Sequence, residues 1–318
     1  SFPMDVTVGP AIGWLQEVLR WCDHWMKRQD TGIMQEPALR VWMQESVPPL
    51  TCYSERPGRW VGEDTWPSPR IEDWRLYPAE GGLRETSQPG EARVCSPLWV
   101  GAAAGEIGRY GAEADWPTDQ REDDGGSLVW MTEPLVERVE ILGAPKLRLR
   151  VASDKPLALV AVRLCDVAPD GASTRVTLGL LNLTHHAGHE RPQALIPGSP
   201  VEVVVEMDDI AHAFPAGHRI GLSLSSVYWP IAWPSPELAV LTVDLGATEL
   251  VLPWRPVRPE DAALRAFDPP DLAPQSPVID HPVAPGHPRR VTRDLLSGKI
   301  TVDFPRWTGI TEMPDIGH

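Results

Sequence analysis

Beyond residue 70 the apolar residues recur at every second position in short runs, and no long stretch of helical spacing separates one run from the next. Side chains alternate between the two faces of a strand, so period two marks a strand with one face buried. Leu147, Leu149 and Val151 share one face of the run from Lys146, and Val201, Val203, Val205 and Met207 do the same with Glu202 and Glu206 among their neighbours. Leu157 to Val167 is a longer apolar run stopped by Ala168-Pro169-Asp170-Gly171, whose Pro and Gly set turn dihedrals, and Arg175 to Leu183 follows as its hairpin partner. Phe214-Pro215-Ala216-Gly217-His218 is a further turn, Ile220, Leu222 and Leu224 alternate behind it, and Leu238 to Leu245 and Glu249 to Leu252 close the series. Such spacing predicts a mainly β chain folded as a jelly-roll β-sandwich.

The opening of the chain has a different texture. From Pro10 to about Lys27, Ile12, Leu15, Val18, Leu19, Cys22, Trp25 and Met26 recur at three and four, the helical period, with Pro10 favourable in a first turn and Asp30 to Gly32 as the stop. Arg40 to Gln44 reads as a strand, because β-branched and aromatic residues fit a pleated surface. Pro48-Pro49, Pro57-Gly58 and Trp66-Pro67-Ser68-Pro69 then crowd residues 45 to 70 and predict a boundary, with residues 1–70 as one segment and 71–318 as the sandwich. Residues 253 to 288 form a Pro-rich return, and Arg290 to Phe304 predicts one last strand pair turned at Ser297-Gly298.

Charge and composition narrow the partners. A net charge of -15, from 44 acidic against 29 basic residues, opposes nucleic acid or an anionic membrane surface as a partner. No apolar run approaches the ~20 residues of a membrane span. Cys22, Cys52, Cys95 and Cys165 stand at spacings that no zinc or redox motif uses, and Cys165, inside its apolar run, reads as a buried small side chain. A Cys52–Cys95 pairing has nothing positive in its favour, and a reducing, cytoplasmic compartment is the default expectation.

Catalytic and ligand-binding patterns are sparse. A nucleophile elbow needs Gly-x-Ser-x-Gly, since only small neighbours allow the strained turn, and the pentapeptide does not occur. His185-His186-x-x-His189 is the single histidine cluster; without a Glu after the first His it reads as a solvated turn, and no metal or other cofactor is assigned. Asp115, Asp119, Glu122, Asp123 and Asp124 form an acidic run that lacks the alternating spacing of a calcium loop and reads as a structural loop bridged by Arg121. His218, with no nucleophile at hand, reads as a hydrogen-bonded core or turn histidine. Tryptophan is in excess, 14 residues against four Phe and four Tyr, and Trp-Pro recurs at 66, 116, 229 and 233. Exposed aromatic platforms stack sugars, so a non-catalytic carbohydrate-binding sandwich stands as the alternative to loops capped over a core and lining an interdomain contact.

Several segments carry a resemblance. Gly9-Pro10-Ala11-Ile12-Gly13-Trp14-Leu15-Gln16-Glu17 through Trp21, Asp23-His24-Trp25 and Lys27, then Glu36-Pro37 and Arg40-Val41-Trp42-Met43-Gln44, come first. Asp119-Gln120-Arg121, Asp123-Asp124 and Ser127-Leu128-Val129-Trp130 through Pro134-Leu135 follow, then Ile141-Leu142-Gly143, Val151-Ala152-Ser153-Asp154, Arg163-Leu164, Asp166-Val167, Pro169-Asp170-Gly171 and Gly217-His218-Arg219. In this order they resemble the C-terminal part of the cocaine esterase / X-Pro dipeptidyl-peptidase-like (CocE/NonD) serine hydrolases. The resemblance implies that residues 1–70 are the C-terminal remnant of an α/β-hydrolase domain and that the triad lies upstream of Ser1. This chain would then carry no catalytic residue and show no turnover alone. The parent would cleave a small ester or amide substrate, X-Pro dipeptidyl bonds included, and its strands would continue beyond His318. Ser1 follows no initiator Met, charged n-region or apolar h-region, which agrees with a missing start and leaves any export signal upstream. In this family a loop before the Asp-Gln-Arg signature reaches the acyl pocket; Ser96-Pro97-Leu98-Trp99-Val100 occupies that stretch, and Trp99 is the expected pocket wall. The apolar stripe of the first helix should face the missing domain, which is the expected partner, and in its absence should drive copies of the chain to associate.

Overall fold

The structure, a computed structural model, describes residues 9–107, 115–271, 279–281, 289–303 and 310–313. The chain divides into two compact units, one of Met34–Arg265 and one of Ser1–Ile33 with Ala266–His318.

The larger unit is built of β1 (Leu39–Glu45), β2 (Gly58–Glu63), β3 (Glu72–Ala79), β4 (Gly82–Arg84), β5 (Glu91–Val94), β6 (Leu128–Met131), β7 (Val139–Gly143) and β8 (Lys146–Ser153). There follow β9 (Leu159–Val167), β10 (Ser173–Asn182), β11 (Val201–Glu206), β12 (Ile210–Phe214), β13 (Arg219–Ser225), β14 (Leu241–Asp244) and β15 (Glu249–Trp254). One sheet runs β2-β1-β12-β7-β15-β8-β14-β5, with β11 added on β8 and the β3–β4 hairpin on β15. The other runs β10-β9-β13-β6. Their inner faces share one core, Leu147, Leu149 and Val151 from the first sheet with Val162, Leu164 and Leu222 from the second. The jelly-roll sandwich expected from the alternation is the observed architecture.

The residue pattern explains each half. In β8 the buried residues alternate with exposed or half-buried ones, because its other face is solvated. In β9 every residue is buried, which is why the sequence there runs apolar without a period. The hairpin between β9 and β10 closes at Pro169-Asp170-Gly171 with Gly171 at φ 86, the left-handed region that a side chain disfavours, and Asp170 Oδ1 accepts from Ala172 N at 3.0 Å. β1 and β2, inside the stretch of residues up to 70, pair antiparallel, and β1 joins β12 in parallel. Among prolines and tryptophans too dense to show a period, Trp42 and Trp60 face each other across this pair with ring centroids 5.5 Å apart.

In the smaller unit, helix α1 spans Trp14–Lys27. It begins later than the expected Pro10: Trp14 N bonds back to Ile12 O at 2.8 Å and Gly13 N is held by Asp268 O at 2.6 Å, so the backbone there is committed outside the helix. None of its residues is buried, and Trp14, Leu15, Leu19, Trp25 and Met26 are all exposed. β17 (Arg290–Arg293) and β18 (Ile300–Asp303) form the expected last hairpin, turned by Gly298 at φ 72, and β16 (Ile279–His281) pairs with β19 (Ile310–Glu312). Residues 272–278 and 282–288 of the Pro-rich return, and Phe304, lie outside the described residues. Among the described residues no helix is long and apolar enough to cross a membrane.

Candidate functional site

Arg163 sits in the middle of β9 with no exposed surface. A guanidinium there is tolerable only if its donors are met, because an unpaired buried charge costs several kcal/mol. The Asp-Gln-Arg segment and the residues after it meet the two terminal nitrogens, while Nε has no hydrogen-bond partner among the described residues. A single helical turn, Arg121–Asp124, presents Asp124 Oδ1 at 3.0 Å, and Gln120 Oε1 and Ser127 Oγ accept at 3.2 and 2.9 Å. Asp123 lies at 3.6 Å, and Ser223 Oγ donates to Asp124 at 2.7 Å. Burial pushes the Asp123 and Asp124 carboxyls up, against the nearby charge of Arg163. Of the acidic run, Asp119 accepts from the Arg121 guanidinium at 2.5 and 3.0 Å, while Asp123 and Asp124 turn inward on Arg163.

The same turn fixes the loop that carries Trp99. Asp123 Oδ1 accepts from Gly101 N at 2.9 Å and Ala103 N at 3.4 Å, and Gln120 Nε2 donates to Ala103 O at 3.1 Å. A second loop, residues 226–233, is stapled to the first: Ser96 N donates to Ser226 Oγ at 2.9 Å, Ser226 N to Ser96 Oγ at 3.0 Å, and Trp229 N to Val100 O at 3.1 Å. Gly101 has φ 109, and a Cβ there would stand 2.3 Å from Trp229 O, so the approach requires glycine. Beneath the clamp Tyr228 is fully buried, its hydroxyl accepting from Arg175 at 2.6 Å and its ring 5.6 Å from the Arg163 guanidinium carbon. Trp99 and Ile231 pack over the small core of Val100, Ala104, Leu159, Ala161 and Tyr228, while Leu98 and Trp233 stay exposed. The Trp-Pro pairs at 229 and 233 mark this second loop in the sequence, but its pairing with the loop of Trp99 is long-range and has no local signal.

The remaining candidates stand apart from this clamp. His218 Nδ1 and His212 Nε2 flank Asp166 at 2.7 and 3.0 Å. Burial pushes the Asp166 carboxyl up, but hydrogen bonds from His212, Ser46 and His218 and the His212 charge outweigh it and hold the carboxyl below its usual range. Ser46 bonds the carboxylate, so the order serine, imidazole, acid needed for nucleophilic activation is not formed here. His185 and His189 face each other in the loop after β10. Cys22, Cys95 and Cys165 are free thiols, and burial pushes the Cys165 thiol up to about 12.

Comparison with known proteins places this geometry. Residues 31–267 match the sequence profile of the X-Pro dipeptidyl-peptidase C-terminal non-catalytic domain. Cocaine esterase from Rhodococcus sp. is 26% identical over 199 residues, covering 58% of this chain and 35% of the esterase. The crystal structure of an aminopeptidase from a marine sediment Thaumarchaeota archaeon superposes with a TM-score of 0.60 at 20% identity, over 75% of this chain and 44% of that one. A CocE/NonD family hydrolase from Staphylococcus aureus superposes with a TM-score of 0.56 at 14% identity, over 76% and 45%. These two structural likenesses establish the fold, and the chain spans less than half the length of each of the three proteins.

Proposed function

The chain belongs to the family of X-Pro dipeptidyl-peptidase C-terminal non-catalytic domains, and from that premise we propose that it serves as the accessory part of a serine hydrolase that cleaves an ester or amide bond by acyl transfer. In this reading the serine, histidine and acid stand on an α/β-hydrolase domain outside this chain, and residues 1–70 derive from the edge of that domain. Trp99 is a wall of the acyl pocket, and Leu98 and Trp233 are the exposed apolar residues of the two loops. The observation that carries the reading is the clamp: Asp123 and the Ser96–Ser226 pair hold an aromatic loop rigid while leaving its rim unburied. Loops fixed in this way on a β scaffold carry binding residues in many enzymes.

The test compares the 318-residue chain with the protein encoded by the whole open reading frame. The chain alone is expected to hydrolyse neither aryl esters nor X-Pro dipeptidyl amides, and the whole protein to do so in a fluorophosphonate-sensitive way. Trp99→Ala in the whole protein is expected to lower kcat/KM for a bulky acyl group by about tenfold while leaving a small acyl group less affected. Fluorophosphonate-sensitive turnover by the isolated chain, or a silent Trp99→Ala, refutes the assignment. One observation favours a second reading: Trp233 is 85% exposed, a platform of the kind that stacks a sugar ring. Oligosaccharide quenching of tryptophan fluorescence that Trp233→Ala abolishes would move the function to glycan binding.

A further inference from the structure

The loop after β10 is built to bring two imidazoles together. Asn182 Oδ1 accepts from Thr184 N at 3.1 Å and Thr184 Oγ1 at 2.9 Å, starting a short turn whose Leu183 and Thr184 are buried. Gly188, at φ 126, reverses the chain, and Gly188 N bonds His185 O at 2.9 Å. Gln193 N ties the far end to Thr184 O at 2.7 Å. The result places His185 Nδ1 and His189 Nδ1 3.1 Å apart, with ring planes inclined by 44°. Both rings, with His186, Glu202, Glu249 and Arg148, whose Nε is 3.1 Å from Glu249 Oε1, line an open cavity of 570 Å³.

Two in-plane nitrogen lone pairs at this separation suit a shared cation. Imidazole nitrogens ligate zinc at about 2.0–2.1 Å, so two of them 3.1 Å apart subtend about 95–100° at a common ion. That angle lies between the cis angle of a square or octahedral site and the tetrahedral one, and imidazole suits zinc, nickel and copper alike. Without an ion, a hydrogen bond between the two nitrogens requires one ring protonated at Nδ1 and the other not, and protonation of both sets like charges against each other. We propose that His185 and His189 form a two-histidine binding site for a divalent transition-metal ion, ligated through both Nδ1 atoms. Among the described residues no three His, Cys, Asp or Glu side chains converge as a ligand set, so water from the cavity completes the coordination sphere. His186 Nδ1 is 3.0 Å from Leu183 O, so that nitrogen is committed to the backbone, and His186 stands outside the Nδ1–Nδ1 pair. This site shares no residue with the clamp around Trp99.

The test is calorimetric titration of the tag-free chain with Zn²⁺ and, separately, Ni²⁺ in a non-coordinating buffer. One saturable ion per chain is expected. His185→Ala and His189→Ala are each expected to weaken binding by at least about tenfold, on the scale seen when a metal site loses a supporting group, and His186→Ala to leave it unchanged. With Cu²⁺, electron paramagnetic resonance should show two equivalent nitrogen ligands. If the single-alanine proteins melt differently from the parent chain, His185→Asn and His189→Asn replace them. Absence of saturable binding, or binding that persists in the double variant of a folded chain, overturns the proposal.

Discussion

An arginine in the middle of a nine-residue strand whose every residue is buried has to bring its partners with it. Arg163 takes Asp124 from a segment 39 positions away, and Asp123 in turn holds the loop of Trp99. Removing the cation would strand two buried carboxylates, and breaking one side of a buried pair costs about 3–5 kcal/mol. Arg163→Met is therefore expected to lower the unfolding free energy by that amount in urea titration, while Arg121→Met, whose Asp119 pair lies at the surface, is expected to leave it close to that of the parent chain. Equal losses in the two variants would remove Arg163 from its central place. The thiols give a second check at this scale. Ellman titration of the native chain should find Cys95, which is exposed, reacting first, and Cys165 silent until urea unfolds the protein, since a buried thiol held near 12 offers no thiolate. The burial of Cys165 is legible from the apolar run around it, but the Arg163 network is not: Arg163 interrupts that run, and its carboxylate partners read as a loop bridged by Arg121 because their true pairing is long-range.

At the level of elements, legibility follows solvation. β8 and β11 declare themselves by alternation because one face meets water, β9 by its unbroken apolar run, and the hairpin between β9 and β10 by Pro-Asp-Gly. β2, β3 and β5 sit among prolines, tryptophans and charges and become strands through their neighbours, as where β3 pairs with β15. The clamp of the two loops is equally non-local. Gly101→Ala would place a methyl group against Trp229 O at a positive φ, a strain of about 1–3 kcal/mol. Its expected effect is a lower urea midpoint with the sandwich otherwise intact by circular dichroism; an unchanged midpoint would mean that the two loops separate freely. Helix α1 was readable from its period of three and four, and its exposed stripe carries a prediction of its own. Leu19 and Met26, 60% and 80% exposed, should drive concentration-dependent association of the isolated chain. Sedimentation velocity of Leu19→Glu/Met26→Glu is expected to give a monomer at concentrations where the parent chain self-associates, and a parent chain that is monomeric throughout would discard that role for the stripe.

For the whole molecule, the buried charges set how stability answers to acid. Burial pushes the carboxyls of Glu63 and Glu140 up, yet bonds from Ser68, Arg70 and Arg255 to the first, and from Arg59 and Arg138 to the second, hold both below the usual range, as His212, Ser46 and His218 do for Asp166. A carboxyl that titrates lower in the folded chain leaves the unfolded chain binding more protons as pH falls. Its contribution is complete above the ordinary carboxylate pKa of about 4 and is lost as pH drops through the depressed folded value. Asp123 and Asp124 act with the opposite sign: burial has raised them, so the folded chain takes up their protons first and their contribution declines as pH rises through the carboxylate range. Asp119 and Asp294 are held low as well, so among the described residues five depressed carboxyls stand against two raised ones, and Glu63 bonds Arg255 across 192 positions and Asp166 bonds His218 across 52. The urea midpoint of the chain is therefore expected to be level from neutral pH down to about pH 5 and to fall steeply below about pH 4. Asp166→Asn should give a lower plateau at neutral pH, because two histidines lose their carboxylate, together with a shallower acid limb, because one proton-linked group has gone. An acid limb of unchanged slope in that variant would take Asp166 out of the linkage and leave the arginine-bound glutamates to account for it.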